Sequence, residues 1–73
     1  MEKLDLRTIP CPKNTSKALI KLATMDTDET LEIWVDDGEP VENVPASLTL
    51  EGHVIVNQNR APEGHWILTV KAA

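Results

Sequence analysis

The stretch Leu4–Met25, LDLRTIPCPKNTSKALIKLATM, changes its hydrophobic period halfway along, and that change decides the fold. Leu4-Asp5-Leu6-Arg7 alternates apolar and polar residues, which predicts a short strand with Leu4 and Leu6 toward a core. Thr8-Ile9-Pro10 ends it. From Pro12 to about Met25, Ala18, Leu19, Leu22 and Ala23 fall on one helical face, while Lys13, Lys17 and Lys21 step by four along the opposite one. A strand that feeds an amphipathic helix of about three and a half turns is the opening unit of a layered fold.

The rest of the chain extends this unit. Leu31-Glu32-Ile33-Trp34-Val35 alternates again as a second strand, and Asp36-Asp37-Gly38-Glu39-Pro40 has the residues of a turn. A short second helix is expected from Asn43 or Val44, with Pro45 in its first turn and Gly52 as its C-terminal stop. His53–Asn57 and His65–Lys71 are β-rich runs joined by a loop over Gln58–Gly64. The order is β-α-β-α-β-β. Two amphipathic helices can cover only one face of a four-stranded sheet, so the expectation is an α+β two-layer sandwich whose other sheet face is largely open.

Seventy-three residues predict one domain, residues 1–73, with no repeats or low-complexity segments. Hydrophobic residues make up 41% and charged residues 26%, a globular balance. No run approaches the roughly 20 apolar residues that span a bilayer, and no cleavable leader pattern opens the chain, so no membrane association and a cytoplasmic location are expected. The net charge of -5 argues against direct nucleic-acid binding, which needs clustered positive charge. That charge is uneven: Lys3, Arg7, Lys13, Lys17 and Lys21 all lie within the first 21 residues, and no Lys or Arg occurs from Leu22 to Asn59. Either this is a solvated face or it steers a partner.

Cys11, the only cysteine, lies among these basic residues. It cannot form an intramolecular disulfide. Pro12 suits a first helical position, which would make Cys11 the N-cap, facing free amides and the positive helix end with Lys13 nearby. That setting favours a nucleophilic sulfur. A buried, space-filling cysteine is the alternative, and Asn14, Thr15 and Ser16 are themselves good N-caps, so a later helix start that leaves Cys11 in a loop stays open.

Other chemistries find less support. His53 and His65 are expected at strand starts as solvated residues rather than partners of Cys11, and one cysteine with two scattered histidines lacks the paired spacing of a metal site. Asp36-Asp37 reads as a solvated turn. Gly38, Gly52 and Gly64 do not form a phosphate loop.

Together these residues resemble the small sulfur-carrier proteins of the TusA/SirA type. The likeness runs through Leu4-Asp5-Leu6-Arg7 before Cys11-Pro12, the lysine-bearing helix with Leu19 and Leu22, Leu31 to Asp37, Val44-Pro45, Gly52-His53 and Trp66-Ile67-Leu68. Two positions depart: Asn14 stands where the Cys-Pro-x-Pro pattern has its second proline, and Thr8 where a glycine is usual. The resemblance implies a four-stranded mixed sheet under two helices and a persulfide on Cys11, with no cofactor. It further implies a cysteine desulfurase or rhodanese-like donor and a downstream acceptor protein, with Pro12 and Lys13 supporting the sulfur and Lys17 and Lys21 available to partners. A non-catalytic interaction module using the open sheet face around Trp34 or Trp66 is the alternative reading of the same fold.

Overall fold

Alternation in Thr30–Val35 organises the molecule. In the computed structural model, which describes residues 2–73, Leu31, Ile33 and Val35 of this strand are completely buried, while Glu32 and Trp34 point the other way. The chain forms β1 (Glu2–Asp5), α1 (Lys13–Ala23), β2 (Thr30–Val35), α2 (Glu39–Leu50), β3 (Val54–Arg60) and β4 (Trp66–Lys71). The sheet order is β1-β2-β4-β3. β1 runs parallel to β2, a pairing that requires a crossover, and α1 supplies it. The other pairs are antiparallel. A mixed four-stranded sheet results, as expected.

One face of the sheet carries the core. Leu31, Ile33 and Val35 of β2 and Leu68 and Val70 of β4 pack with Ala18 and Leu22 of α1 and with Val41, Val44 and Leu48 of α2. Leu6 joins them, and Leu4 packs at the margin. The opposite face carries Lys3 and Asp5 in register with Glu32 and Trp34.

Four local expectations change. β1 closes at Asp5, although the Leu6 N–H still reaches the Trp34 carbonyl at 2.8 Å. α1 stops at Ala23, which is exposed; the buried stripe is Asn14, Ala18 and Leu22, so it begins one turn earlier and on a polar residue. α2 starts at Glu39 rather than at Asn43 or Val44. Gly38 is its N-cap with φ +94°, Pro40 takes the first-turn proline role, and Glu39 and Glu42 complement the positive helix end. Pro45 therefore lies in the helix interior. β3 runs on to Arg60 through an irregularity between Ile55 and Asn57, so the hairpin loop is shorter than Gln58–Gly64. Gly52 does end α2, with φ +94° and its N–H on the Thr49 carbonyl at 3.0 Å.

Candidate functional site

Cys11 is a free, exposed thiol in the turn between β1 and α1. Pro12, not Cys11, occupies the N-cap position, because the first helical residue is Lys13. Cys11 thus precedes the cap by one residue. The turn is held by helix amides that reach back over it: the Asn14 N–H donates to the Pro10 carbonyl at 3.1 Å, and the Ser16 N–H to the Pro12 carbonyl at 3.0 Å. Ile9 packs against the core just ahead of it. One side of the turn is anchored and the sulfur side is open.

The strand end before this turn is braced from β2. Asp36 accepts the Thr8 N–H at 2.7 Å. Asp5 accepts Arg7 through the backbone N–H and two side-chain nitrogens, Nε and Nη2, and the Arg7 hydrogen bonds hold its carboxyl down at about 2, from an ordinary value of 3.8. A depressed carboxyl pKa favours the folded state above its unfolded value and loses that effect as pH falls from about 4 toward 2. The pair is exposed, so solvent screening keeps its contribution small. Asp37 accepts the Trp66 indole N–H at 2.8 Å and Arg60 at 3.1 Å, and these two partners push its pKa down. Asp36 and Asp37 therefore brace the structure as well as meeting solvent.

Thr8 has φ +67°. A β-branched side chain is strained in this left-handed region, where glycine would fit without strain. Thr8→Gly should relieve that strain, offset in part by the greater freedom of glycine in the unfolded chain. The expected net gain is about 0.5–1 kcal/mol, read as a higher urea midpoint. A lower midpoint would show that the threonine side chain contributes more than its backbone costs.

The lysine stripe divides on inspection. Lys13 and Lys17 are exposed and form no salt bridge among the described residues, whereas Lys21 is half-buried and pairs with Glu2 at 2.5 Å. Between Lys17 and Lys21 stands Ile20, 68% exposed. With Leu4, Lys17, Lys21 and Thr24 it lines a shallow hollow beside β1. Sequence reasoning passed over Ile20, yet its place outside the Ala18, Leu22 stripe was the signal.

The contacts made by the two histidines are with groups other than the thiol. His53 lies at the end of the sheet where β3 begins, and its Nδ1 accepts the Ala73 N–H at 3.0 Å. His65 is not solvated: it is 7% exposed, with its ring 4.6 Å from that of Trp34. Trp34 is further covered by Lys3 at 4.0 Å and Arg7 at 4.7 Å, and its indole N–H donates to Glu32 at 2.6 Å. Trp66 is registered opposite Val35 and packs against the core, so it lies on the helix side and not on the open face. The open face thus has one tryptophan, and the chain covers it itself. No group of three or more His, Cys, Asp or Glu able to hold a metal ion occurs among the described residues, and no described helix is long and apolar enough to cross a membrane.

Comparison with known proteins agrees with this geometry. A candidate sulfur carrier protein of Archaeoglobus fulgidus is 31% identical over 70 residues, covering 96% of this chain and 80% of its own. The candidate sulfur carrier protein TsuB of Escherichia coli is 32% identical over 73 residues, covering 100% and 97%. The crystal structure of a SirA-like protein from Desulfitobacterium hafniense superposes with a TM-score of 0.84 at 19% identity, over 100% of this chain and 99% of that one. A solution structure from Helicobacter pylori gives 0.70 at 18% identity, over 97% and 96%. These two share the fold. The family model described as sulfurtransferase TusA matches residues 2–72, essentially the whole chain, and the protein belongs to that family.

Proposed function

We propose that this protein carries sulfur as a persulfide on Cys11. The observation that carries the reading is an exposed thiol ahead of α1, in a chain of the TusA family whose relatives are named as sulfur carriers. The Cys11 thiolate attacks the outer sulfur of a donor persulfide on a cysteine desulfurase or rhodanese-like protein. The donor's S–S bond breaks, its own cysteine leaves as thiolate, and a new S–S bond joins Cys11 to the transferred sulfur. An acceptor protein then takes that outer sulfur, and Cys11 returns to the thiolate. No net oxidation or reduction occurs in either step, and the cycle runs in a reducing compartment such as the cytoplasm.

Pro12 sets the start of α1 behind the sulfur, and Lys13, two residues after Cys11, is the nearest cation along the chain. Lys17 and Lys21 extend the basic face toward partners, with Lys17 the free member and Lys21 tied to Glu2. The test is incubation with a cysteine desulfurase and L-cysteine, and in parallel with a persulfidated rhodanese. The expected result is a gain of one sulfur atom by mass, reversed by a thiol reductant. If Cys11 alkylates freely but neither donor loads it, the reading fails.

The basic face has its own prediction. The double variant Lys13→Gln, Lys17→Gln should load roughly three- to tenfold more slowly at low salt, because association between charged surfaces is steered by their fields. The difference should shrink as salt shortens the screening length. Equal rates at low salt would leave these lysines as solvated residues only.

A further inference from the structure

Asn14 is the one polar residue of α1 that is completely buried, and it heads the stripe that continues with Ala18 and Leu22. Its groups are used unevenly. The backbone N–H donates to the Pro10 carbonyl at 3.1 Å, closing a turn over Cys11. The side-chain oxygen accepts the Thr15 N–H at 2.7 Å and the Thr15 hydroxyl at 3.3 Å. The side-chain nitrogen is buried without a partner. In a helix continued toward the N-terminus, the Thr15 N–H would run to the carbonyl four residues back, which is that of Cys11. Asn14 holds that amide instead.

An unpartnered buried donor is unfavourable compared with an apolar side chain of similar size, so stability alone does not explain an asparagine here. We infer that Asn14 is the positioning residue for Cys11: anchored in the core, it keeps the Cys11 turn from winding into α1 and fixes where the sulfur stands. This rests on Cys11 being the sulfur-carrying residue. A proline at position 14 would have neither the N–H that reaches Pro10 nor an acceptor for Thr15, and would restrict the turn through its fixed φ. Asn14 reaches the same restriction by hydrogen bonds.

The test compares wild type, Asn14→Leu, Asn14→Ala and Asn14→Pro. Readouts are the melting temperature, the ¹⁵N heteronuclear NOE of the Cys11 and Lys13 amides, and kcat and KM for loading from a persulfidated donor. Asn14→Leu fills the buried volume without the unpartnered donor, so it should melt at or above the wild-type temperature. Its Cys11 NOE should nevertheless fall and its kcat drop about five- to tenfold at unchanged KM, as expected when a reacting group loses its fixed position. Opposite movement of stability and rate is something a merely structural residue would not produce. Asn14→Pro should keep kcat within about threefold of wild type, because the ring restores the restriction. If Asn14→Leu leaves either the Cys11 NOE or kcat unchanged, the inference is overturned; should it fail to fold, Asn14→Ala is read by the same two criteria. If wild type itself takes no sulfur from any donor, the carrier reading has failed instead, and the NOE at Cys11 decides for or against the role of Asn14.

Discussion

Cys11→Ser is expected to abolish sulfur loading while leaving the unfolding curve where it was. The side chain is exposed and forms no disulfide, so the substitution opens no cavity and leaves no buried group without a partner. Surface changes of this kind stay within about 0.5 kcal/mol. The chemistry, by contrast, has no substitute: a serine hydroxyl offers no thiolate to attack the donor's outer sulfur, and no second cysteine exists in the chain. Loading should fall by roughly a thousandfold or more, to the background of the assay, as when the nucleophile of a covalent mechanism is removed. Mass spectrometry after donor incubation reads the loss, and urea unfolding monitored by Trp34 and Trp66 reads the fold. A Cys11→Ser protein that still gains sulfur would mean that the sulfur is bound elsewhere and not as a Cys11 persulfide.

Much of this site was legible because its determinants are local. The change of period in Leu4–Met25 placed the cysteine between a strand and a helix, and the lysines at positions 13, 17 and 21 followed from helical spacing alone. The cap was misjudged by one residue because proline is favoured at the first helical position, whereas Pro12 stands one residue ahead of it, with φ -88° and ψ 7° and no side-chain cap hydrogen bond. Asn14 was read as a candidate N-cap and as the residue in place of the pattern's second proline, not as a buried one. Its burial depends on the core that α1 meets, and only the spacing with Ala18 and Leu22 hints at it. Two prolines competed for the start of α2, and Gly38, with its positive φ, was the feature that favoured Pro40 over Pro45. The burial of His65 was beyond sequence reasoning, since it depends on Trp34 in another strand.

The open sheet face bears on the interaction-module reading. An exposed aromatic patch marks a docking surface when nothing in the chain covers it. Lys3, Arg7 and His65 already surround the Trp34 ring, and Glu32 takes its N–H, so a partner would have to displace cations that the ring holds. On the helix that follows the thiol the exposed large apolar side chain is Ile20, next to Lys17, and on β3 Val54 and Val56 are exposed as well. Exposed hydrophobe and unpaired lysine thus share the helix that begins just after Cys11.

The fold that presents this helix has little stability to spare, and Ile33→Ala should show it. Ile33 is completely buried at the centre of β2, in register with Leu4 on one side and Leu68 on the other, beneath the core residues of both helices. Truncation there removes apolar contacts and leaves a cavity that a closely packed interior can only partly collapse, at a cost of about 2–5 kcal/mol. A chain of this length has a total stability of roughly 4–11 kcal/mol at 0.05–0.15 kcal/mol per residue. The urea midpoint should therefore fall by a large fraction of its wild-type value, with the slope of the transition preserved if unfolding stays two-state. Leu50→Ala supplies the contrast: Leu50 is 86% exposed at the end of α2, and its removal should change the midpoint little. Because β2 also supplies the Trp34 carbonyl that holds Leu6, loosening this strand loosens the approach to the Cys11 turn. Ile33→Ala should accordingly lose loading activity in proportion to its unfolded fraction, and recover it in a stabilising osmolyte. A variant with a wild-type midpoint would show that the core closes around the missing atoms, and would place the limit on stability elsewhere in the sheet.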